Sequence, residues 1–173
     1  MTQEVSFEEL YRTHYRRVFG LCRQLLGAWD QAEDATQEVF MRAHRAFESY
    51  DPKQPFSGWI LKIATNLCID VVRRRTKERQ LFGNEPVEVH EIESETPTAV
   101  GELIAAEQAG KVKGAIESLP EKYRIPLVLA YYGESSYDAI ANTLGISRNH
   151  VGVLILRGKR QLRGLLHEVE EEI

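Results

Sequence analysis

Side chains suited to contacting a DNA duplex are concentrated in residues 136–163. The spacing of this segment predicts two helices joined by a tight turn, with the second helix opening on Arg148, Asn149 and His150. In such a pair the start of the second helix enters the major groove, while later basic side chains contact phosphates. The predicted DNA contacts of this segment are Ser136, Arg148, Asn149, His150, Arg157, Lys159 and Arg160.

The residues between these contacts predict the turn itself. Ser136 and Ser147 are placed to cap the two helices, and Gly145 can adopt the positive φ that ends the first one abruptly. The predicted inward stripe of the second helix is Val151, Ile155, Gly158 and Leu162. The caps, the glycine and the basic residues all fit a helix-turn-helix, so they favour this motif over a helical hairpin with only a packing role. A helix-turn-helix alone would serve a repressor, a response regulator or a recombinase equally well.

A second set of polar side chains lies in the N-terminal half. Trp59, Lys62, Asn66, Asp70 and Arg73 recur at helical spacing beside an apolar stripe. An aromatic ring beside amide and basic groups suits unstacked bases and phosphates, although Trp59 alone also fits a helix core. On the preceding helix, the side chains that lie away from the apolar stripe suit either a binding face or a solvated face: Asp34, Gln37, Glu38, Met41 and Arg45.

The elements that position these side chains are predicted to be helical, because apolar residues recur at three- and four-residue steps and no segment alternates as a strand does. Gly27 should end the first helix and Asp30 should cap the second. Ser118 should cap a helix that Pro126 bends. The predicted helices run over about 7–25, 30–49, 57–75, 99–118 and onward from 120.

The net charge of −4 conceals an uneven distribution of charge. Between Arg79 and Lys111 there are seven acidic residues and no Lys or Arg, whereas from Lys111 to His167 nine Lys and Arg oppose four acids. The acidic stretch also loses helical periodicity, which is typical of a flexible linker. The predicted fold is therefore all-α, with two small helical domains joined by a flexible acidic linker: 1–78, 79–108 and 109–168.

Composition excludes several classes of protein. No apolar run approaches the roughly 18 residues that span a bilayer, and the N-terminus has no secretory pattern, so we expect a cytoplasmic protein without membrane insertion. Cys22 and Cys68 fall in helical patterns and should be reduced and buried. The five histidines are scattered without ligand spacing, so we expect no metal, cofactor or small-molecule substrate.

Two blocks of this sequence resemble the extracytoplasmic-function (ECF) group of sigma factors, within the sigma-70 family. The first block is AEDATQEVFMRA at 32–43, then FSGWILKIATNLCID at 56–70 and the arginines at 73–75, which together resemble region 2. The second begins with SLPEKYR at 118–124, continues through Leu162, and resembles region 4. The resemblance covers residues 7–75 and about 110–165, in the order and spacing of the family.

The resemblance implies a promoter-specificity subunit of bacterial RNA polymerase that is not itself an enzyme, with the helix-turn-helix holding the −35 element. It implies that the acidic second helix docks on the β′ coiled-coil clamp through Asp34, Gln37, Glu38, Phe40 and Met41. It further implies that the third helix and its preceding loop read and open the −10 element through Lys53, Phe56, Trp59, Lys62, Asn66, Asp70, Arg73 and Arg74.

The recognition helix departs from the family pattern. Members usually carry Lys, Ser or Thr, and Arg after the conserved Val, whereas this chain has Gly152, Val153 and Leu154. The departure shifts the predicted base contacts to Arg148, Asn149 and His150. The expected exposure of Val153 and Leu156 suits a protein partner. Because ECF factors are commonly held inactive by an anti-sigma factor wedged between their domains, such a partner is expected here.

Two other functions compete with this interpretation. A stand-alone helix-turn-helix regulator without polymerase binding is the main alternative, and the intact segment 34–40 disfavours it. A recombinase would need a catalytic Ser or Tyr beside clustered arginines on an α/β domain. The arginines at 73–75 are clustered, but no strand pattern surrounds them.

Overall fold

The computed structural model describes residues 6–76 and 109–171. Over these residues the chain forms seven α-helices and one short 3₁₀-helix and no strand, which confirms the all-α prediction. Contacts divide the chain into two compact units, Met1–Arg75 and Thr76–Ile173. The predicted linker at 79–108 lies outside the described residues, so its flexibility and the boundaries around it stay predictions.

The first unit contains three α-helices and a single 3₁₀ turn. They are α1 (Phe7–Leu26), α2 (Trp29–Ala46), the 3₁₀-helix Phe47–Ser49 and α3 (Phe56–Thr76).

The ends of α1 follow from its sequence, and the start of α2 does not. Ser6 and Glu9 form a capping box, in which the Glu9 N–H donates to Ser6 Oγ at 3.3 Å and the Ser6 N–H donates to the Glu9 carboxylate at 3.2 Å. Gly27 ends α1 with φ 85°, as predicted. The predicted cap at Asp30 is wrong, because Ala28 occupies the cap position without a side-chain hydrogen bond. Asp30 lies in the first turn, where its negative charge interacts favourably with the positive end of the helix dipole.

The core of the first unit combines aliphatic side chains from all three helices. Ile60, Ala64 and Leu67 of the predicted α3 stripe are buried, while Ile63 and Val71 are only half-buried. Burial of a Leu, Ile or Val contributes about 1.5–3 kcal/mol each, so this core holds the three helices together. The core also includes Val18, Leu21, Leu25, Leu26, Ala32, Val39, Ala43, Leu61, Ile69 and Val72.

The two cysteines meet inside this core. Cys22 of α1 and Cys68 of α3 are both free and fully buried, which confirms the expectation that their side chains are buried. A hydrogen bond from the Cys68 thiol lowers the pKa of Cys22. The same hydrogen bond, reinforced by burial, raises the pKa of Cys68 well above its usual value.

Burial of both thiols should suppress their reactivity. We expect the native protein to react with iodoacetamide on the order of 100-fold more slowly than the urea-unfolded chain, because alkylation requires opening of the core. Mass spectrometry of timed samples measures this ratio. Fast labelling of either cysteine in the native protein would contradict the packing described.

The second unit contains four described helices. They are α4 (Ala109–Ser118), α5 (Glu121–Tyr131), α6 (Tyr137–Leu144) and α7 (Arg148–Glu171).

Helix α5 begins after a proline and not after a serine cap. Pro120 occupies the cap position, and the Ser118 hydroxyl donates instead to the Gly114 carbonyl of α4 at 3.0 Å. The predicted cap at Ser118 is therefore wrong, since its hydroxyl is already used by the helix that ends there. Pro126 lies inside α5, as predicted.

Helices α6 and α7 form the predicted helix-turn-helix. The Ala139 N–H donates to Ser136 Oγ at 3.2 Å, and the His150 N–H donates to Ser147 Oγ at 3.1 Å. Gly145 takes the left-handed conformation with φ 70°, which a side chain would strain. Both predicted caps and the glycine turn are confirmed.

The inward stripe of α7 packs closely on α5. Val151, Ile155 and Leu162 are buried, as predicted. A Cβ atom added at Gly158 would lie 3.3 Å from the Cβ of Tyr123. The glycine therefore permits the close approach of α7 to α5.

Candidate functional surfaces

The outward face of α2 carries the predicted docking residues. Asp34, Gln37 and Met41 are exposed and Glu38 is half-buried. Arg42 Nε donates to the Glu38 carboxylate one turn away at 2.7 Å. Because such exposed pairs stabilise a helix by only about 0.3–0.5 kcal/mol, Glu38 is available to exchange this partner for another.

Phe40 lies beneath this face. Its side chain is buried, and its ring centroid is 4.6 Å from that of Tyr11 and 6.2 Å from that of Tyr15. Helix α1 covers this side of α2, which corrects the expectation that Phe40 contacts a partner directly. Phe40 instead supports the face from within.

An aromatic cluster anchors the loop before α3. The ring centroid of Phe56 lies 5.5 Å from those of Tyr50 and Trp59 and 5.1 Å from that of His14. Phe56 is 6% exposed, because α1 and the 3₁₀-helix surround it. This burial corrects the expectation that Phe56 contacts DNA, and it makes the residue the centre of the cluster.

The loop itself is exposed and folded by Asp51. The Asp51 carboxylate accepts a hydrogen bond from the Lys53 N–H at 3.0 Å, and its carbonyl accepts from the Gln54 N–H at 2.9 Å. The Tyr50 hydroxyl also donates to the Gln54 carbonyl. These bonds hold a turn from which the predicted contact Lys53 points to solvent.

The outer side of α3 carries the polar stripe predicted from its spacing. Trp59 is half-buried at one end, with its ring centroid 5.1 Å from that of Tyr50. This arrangement leaves part of the indole accessible beside cationic and amide groups. The exposed residues that complete the stripe and the end of α3 are Lys62, Asn66, Asp70, Arg73 and Arg74.

Arg75 has a structural partner that the run of three arginines does not reveal. Its Nη1 donates to the Leu26 carbonyl at the end of α1, at 2.9 Å. This bond joins two helix ends that are 49 residues apart in sequence. Arg75 therefore links the end of α3 to the end of α1 within the first unit.

The helix-turn-helix exposes part of its predicted contact set. Ser136, Arg148 and Asn149 are exposed around the turn, and Arg157 and Arg160 are exposed further along α7. Arg148 Nε lies 3.7 Å from Asp138 Oδ1 at the start of α6, and both side chains are mostly exposed. An ion pair of this kind is readily exchanged for a base or a phosphate.

Two predicted contacts of this segment are buried. His150 is 7% exposed and Lys159 is 6% exposed. Lys159 Nζ lies over the ring of Tyr131, 5.5 Å from its centroid, so a cation–π contact partly offsets its desolvation. The expectation that either side chain faces DNA is corrected, because both lie on the side of α7 that packs within the unit.

The departure from the family pattern in α7 is also partly internal. Leu154 is 1% exposed and Gly152 is buried. Val153 and Leu156 are half-buried, which corrects the expectation that they form an exposed apolar patch. The exposed polar side chains of α7 that are predicted to contact DNA therefore lie in its first turn and at its outer arginines.

Within 6–76 and 109–171, no group of three His, Cys, Asp or Glu side chains is placed to hold a metal ion. No helix in this part of the chain is both long enough and apolar enough to cross a membrane.

Comparison with known sequences identifies both units. Residues 10–78 match the family model for sigma-70 region 2, and residues 110–162 match that for sigma-70 region 4. The ECF RNA polymerase sigma factor SigE of Mycolicibacterium smegmatis is 35% identical over 167 residues, which cover 96% of this chain and 64% of that protein. SigW of Bacillus subtilis, also an ECF RNA polymerase sigma factor, is 30% identical over 169 residues, which cover 95% of this chain and 90% of that protein.

Two solved structures share the fold. The sigma factor RpoE of Bartonella quintana, in complex with the anti-sigma factor NepR, matches with a TM-score of 0.60 at 20% identity, covering 93% of this chain and 96% of that one. CnrH, in complex with the cytosolic domain of CnrY, matches with a TM-score of 0.54 at 23% identity, covering 94% and 88%. With both sigma regions matched in order and SigW similar over nearly its whole length, the chain belongs to the ECF RNA polymerase sigma factors.

Proposed function

We propose that this chain directs core RNA polymerase to its promoters through three surfaces that the two units hold on rigid helices. The observation that carries the proposal is the separation of chemistry between helix faces. An acidic face lies on α2, an aromatic and polar stripe on α3, and a basic start and outer edge on α7. Each face suits a different partner, namely the polymerase clamp, the −10 element and the −35 element.

The α2 face is proposed to bind the β′ coiled-coil clamp. Asp34, Gln37, Glu38 and Met41 combine carboxylates, an amide and an exposed thioether, which suits a basic and partly apolar helical surface. Phe40 contributes by supporting the helix from below.

The α3 stripe is proposed to bind and open the −10 element. Unstacking a base costs a few kcal/mol, which contacts to Trp59, to the polar stripe and to the exposed loop would offset without a nucleotide cofactor. Lys53, Lys62, Asn66 and Asp70 are accessible for these contacts. Arg73 and Arg74, at the end of α3, are placed for backbone phosphates.

The helix-turn-helix is proposed to hold the −35 element. Arg148 and Asn149 lie at the first turn of α7, which is the part that enters the major groove in this motif. Arg157, Arg160 and Ser136 would contact phosphates that fix the position of the helix on the duplex.

Regulation by an anti-sigma factor belongs to the same proposal. Among solved structures that share the fold, RpoE is a sigma factor in complex with the anti-sigma factor NepR, and CnrH is in complex with the cytosolic domain of CnrY. A bacterial cytoplasmic location follows from the proposed partners, which are core polymerase and promoter DNA.

Run-off transcription with purified core polymerase and a library of promoters tests the function. We expect specific transcripts that depend on this protein, together with its co-purification with core. If the immobilised protein does not retain core polymerase at physiological salt, the proposed function is wrong.

Truncation of Arg148 should weaken promoter selection at one position of the −35 element. For Arg148→Ala we expect a loss of about 1–3 kcal/mol on the preferred sequence and a relaxed preference at that base. Arg157→Ala serves as the comparison, because loss of a phosphate contact should weaken binding to all sequences equally. Band-shift titration against randomised −35 duplexes measures both, and an unchanged base preference in Arg148→Ala would contradict its role.

A further inference from the structure

Asp138 and Arg148 form an ion pair that joins the two helices of the helix-turn-helix. Arg148 Nε, in the first turn of α7, lies 3.7 Å from Asp138 Oδ1, in the first turn of α6. At this distance the contact is an attraction between charges and not a hydrogen bond. The two side chains are 62% and 73% exposed, so a duplex that docks on this motif can reach both of them.

Helix stability does not explain the position of Arg148. A positive charge in the first turn of a helix interacts unfavourably with the positive end of the helix dipole. The start of α7 is already capped, because Ser147 Oγ accepts a hydrogen bond from the His150 N–H. Asp138, by contrast, suits the first turn of α6, where its negative charge favours that helix. The position of Arg148 therefore suits an electron-rich ligand, and Asp138 partly offsets its charge in the free protein.

Two kinds of DNA group can accept hydrogen bonds from this guanidinium. Arginine most often reads a guanine, with two parallel hydrogen bonds to O6 and N7, and the terminal nitrogens Nη1 and Nη2 can donate both while Nε faces Asp138. A backbone phosphate also binds guanidinium strongly and carries no sequence information. A phosphate that approaches Arg148 is repelled by the carboxylate of Asp138, whereas the uncharged edge of a guanine is not.

We propose that Asp138 is a positioning residue that directs Arg148 to a guanine of the −35 element and away from the phosphate backbone. The inference rests on the proposed reading of a −35 base by Arg148, and it adds the identity of the base and the residue that enforces the choice. Docking excludes water from the ion pair, so the carboxylate holds the guanidinium more firmly on the duplex than in the free protein. Because the first helix of this motif crosses the backbone, Asp138 lowers the affinity for DNA in general while it raises the preference for guanine.

Asp138→Asn in the full chain, reconstituted with core polymerase, tests the inference. Run-off transcription is measured on four promoter templates that differ only at the −35 position whose preference is relaxed by Arg148→Ala. We expect the native protein to prefer guanine there, and Asp138→Asn to reduce this preference about fivefold. The affinity of Asp138→Asn for a duplex without a promoter should instead rise about twofold, because a negative charge near the phosphates is removed. Asp138→Glu, which keeps the charge, should recover most of the guanine preference.

Two controls separate positioning from general effects of charge and stability. Glu134→Gln removes another exposed carboxylate of the second unit and should leave the guanine preference unchanged. Combined with Arg148→Ala, Asp138→Asn should change the base preference no further, because the pair no longer exists. If Asp138 served only to stabilise α6, Asp138→Asn would lower the thermal unfolding midpoint and leave the base preference intact, which would overturn the inference. An equal loss of preference in Glu134→Gln would overturn it as well.

The same templates distinguish this inference from the proposed role of Arg148 beneath it. If Arg148→Ala leaves the preference unchanged at every −35 position, the proposed base contact is wrong and the inference fails with it. If Arg148→Ala relaxes the preference and Asp138→Asn does not, Arg148 reads its base without Asp138 and the inference alone is wrong. A native preference for a base other than guanine at that position would also contradict the inference, while leaving the base contact in place.

Discussion

The double charge reversal Asp34→Arg with Glu38→Arg is expected to reduce the affinity for core polymerase by at least about 100-fold and to abolish promoter-dependent transcription. A hundredfold loss corresponds to about 2.8 kcal/mol, which two reversed contacts at a charged interface readily supply. Both side chains lie on the outer face of α2. Within the part of the chain that the structure describes, the double reversal breaks the exposed ion pair between Glu38 and Arg42. The fold should therefore survive, because that pair contributes little to stability.

Pull-down of core polymerase and run-off transcription measure the two effects separately. Glu48→Arg is a matched control, since it reverses an exposed acid of the 3₁₀-helix that is not assigned to core binding. A double-reversal variant that still binds core with native affinity would show that the acidic face of α2 is a solvated surface. The salt dependence should agree, with native binding weakening as ionic strength rises.

The features that the sequence predicts correctly are those determined within a few residues. Gly145 must leave the helical region of φ, and Ser136 and Ser147 each satisfy a backbone N–H three residues ahead. The helices were equally predictable, since their apolar spacing is a local property. The cap of α2 is the informative failure. Asp30 is a good capping residue, yet the helix extends two residues further back to Ala28, where Trp29 gains its contact with Phe19.

Burial of polar or aromatic residues could not be predicted in the same way. Lys159 is covered because a ring from α5, Tyr131, lies beside it, and that neighbour is 28 positions away in sequence. Phe40 is covered by Tyr11 of another helix for the same reason. Helical periodicity locates the centre of the inward stripe, but the residues at its edges are decided by the partner helix.

The burial of these side chains reduces the number of residues proposed to recognise the −35 element. With His150 and Leu154 inside and Val153 half-buried, Arg148 and Asn149 remain as the accessible polar groups of the first turn of α7. Arg148 is held near Asp138 in the free protein. A recognition helix with so few proposed base contacts depends more on phosphate contacts and on the shape of the duplex. We therefore expect the −35 element to tolerate substitutions at most of its positions.

Phe56→Ala is expected to destabilise the first unit by about 3–5 kcal/mol, because it empties the centre of the aromatic cluster. Trp59→Ala removes a half-buried ring from the edge of that cluster, so its cost should be smaller while its effect on opening of the −10 element is larger. Both tryptophans of the chain, Trp29 and Trp59, lie in the first unit, so tryptophan fluorescence during urea unfolding reports this unit alone.

The two substitutions should therefore separate stability from DNA opening. Phe56→Leu, which keeps most of the apolar volume, should recover much of the stability lost in Phe56→Ala. Permanganate footprinting of thymines in the −10 element, at a temperature where each variant is folded, should show reduced opening with Trp59→Ala and near-native opening with Phe56→Leu. The reverse pattern, with stability intact in Phe56→Ala and opening lost in Phe56→Leu, would mean that Phe56 contacts the DNA. Phe56 would then have to leave the interior of the cluster when the promoter binds.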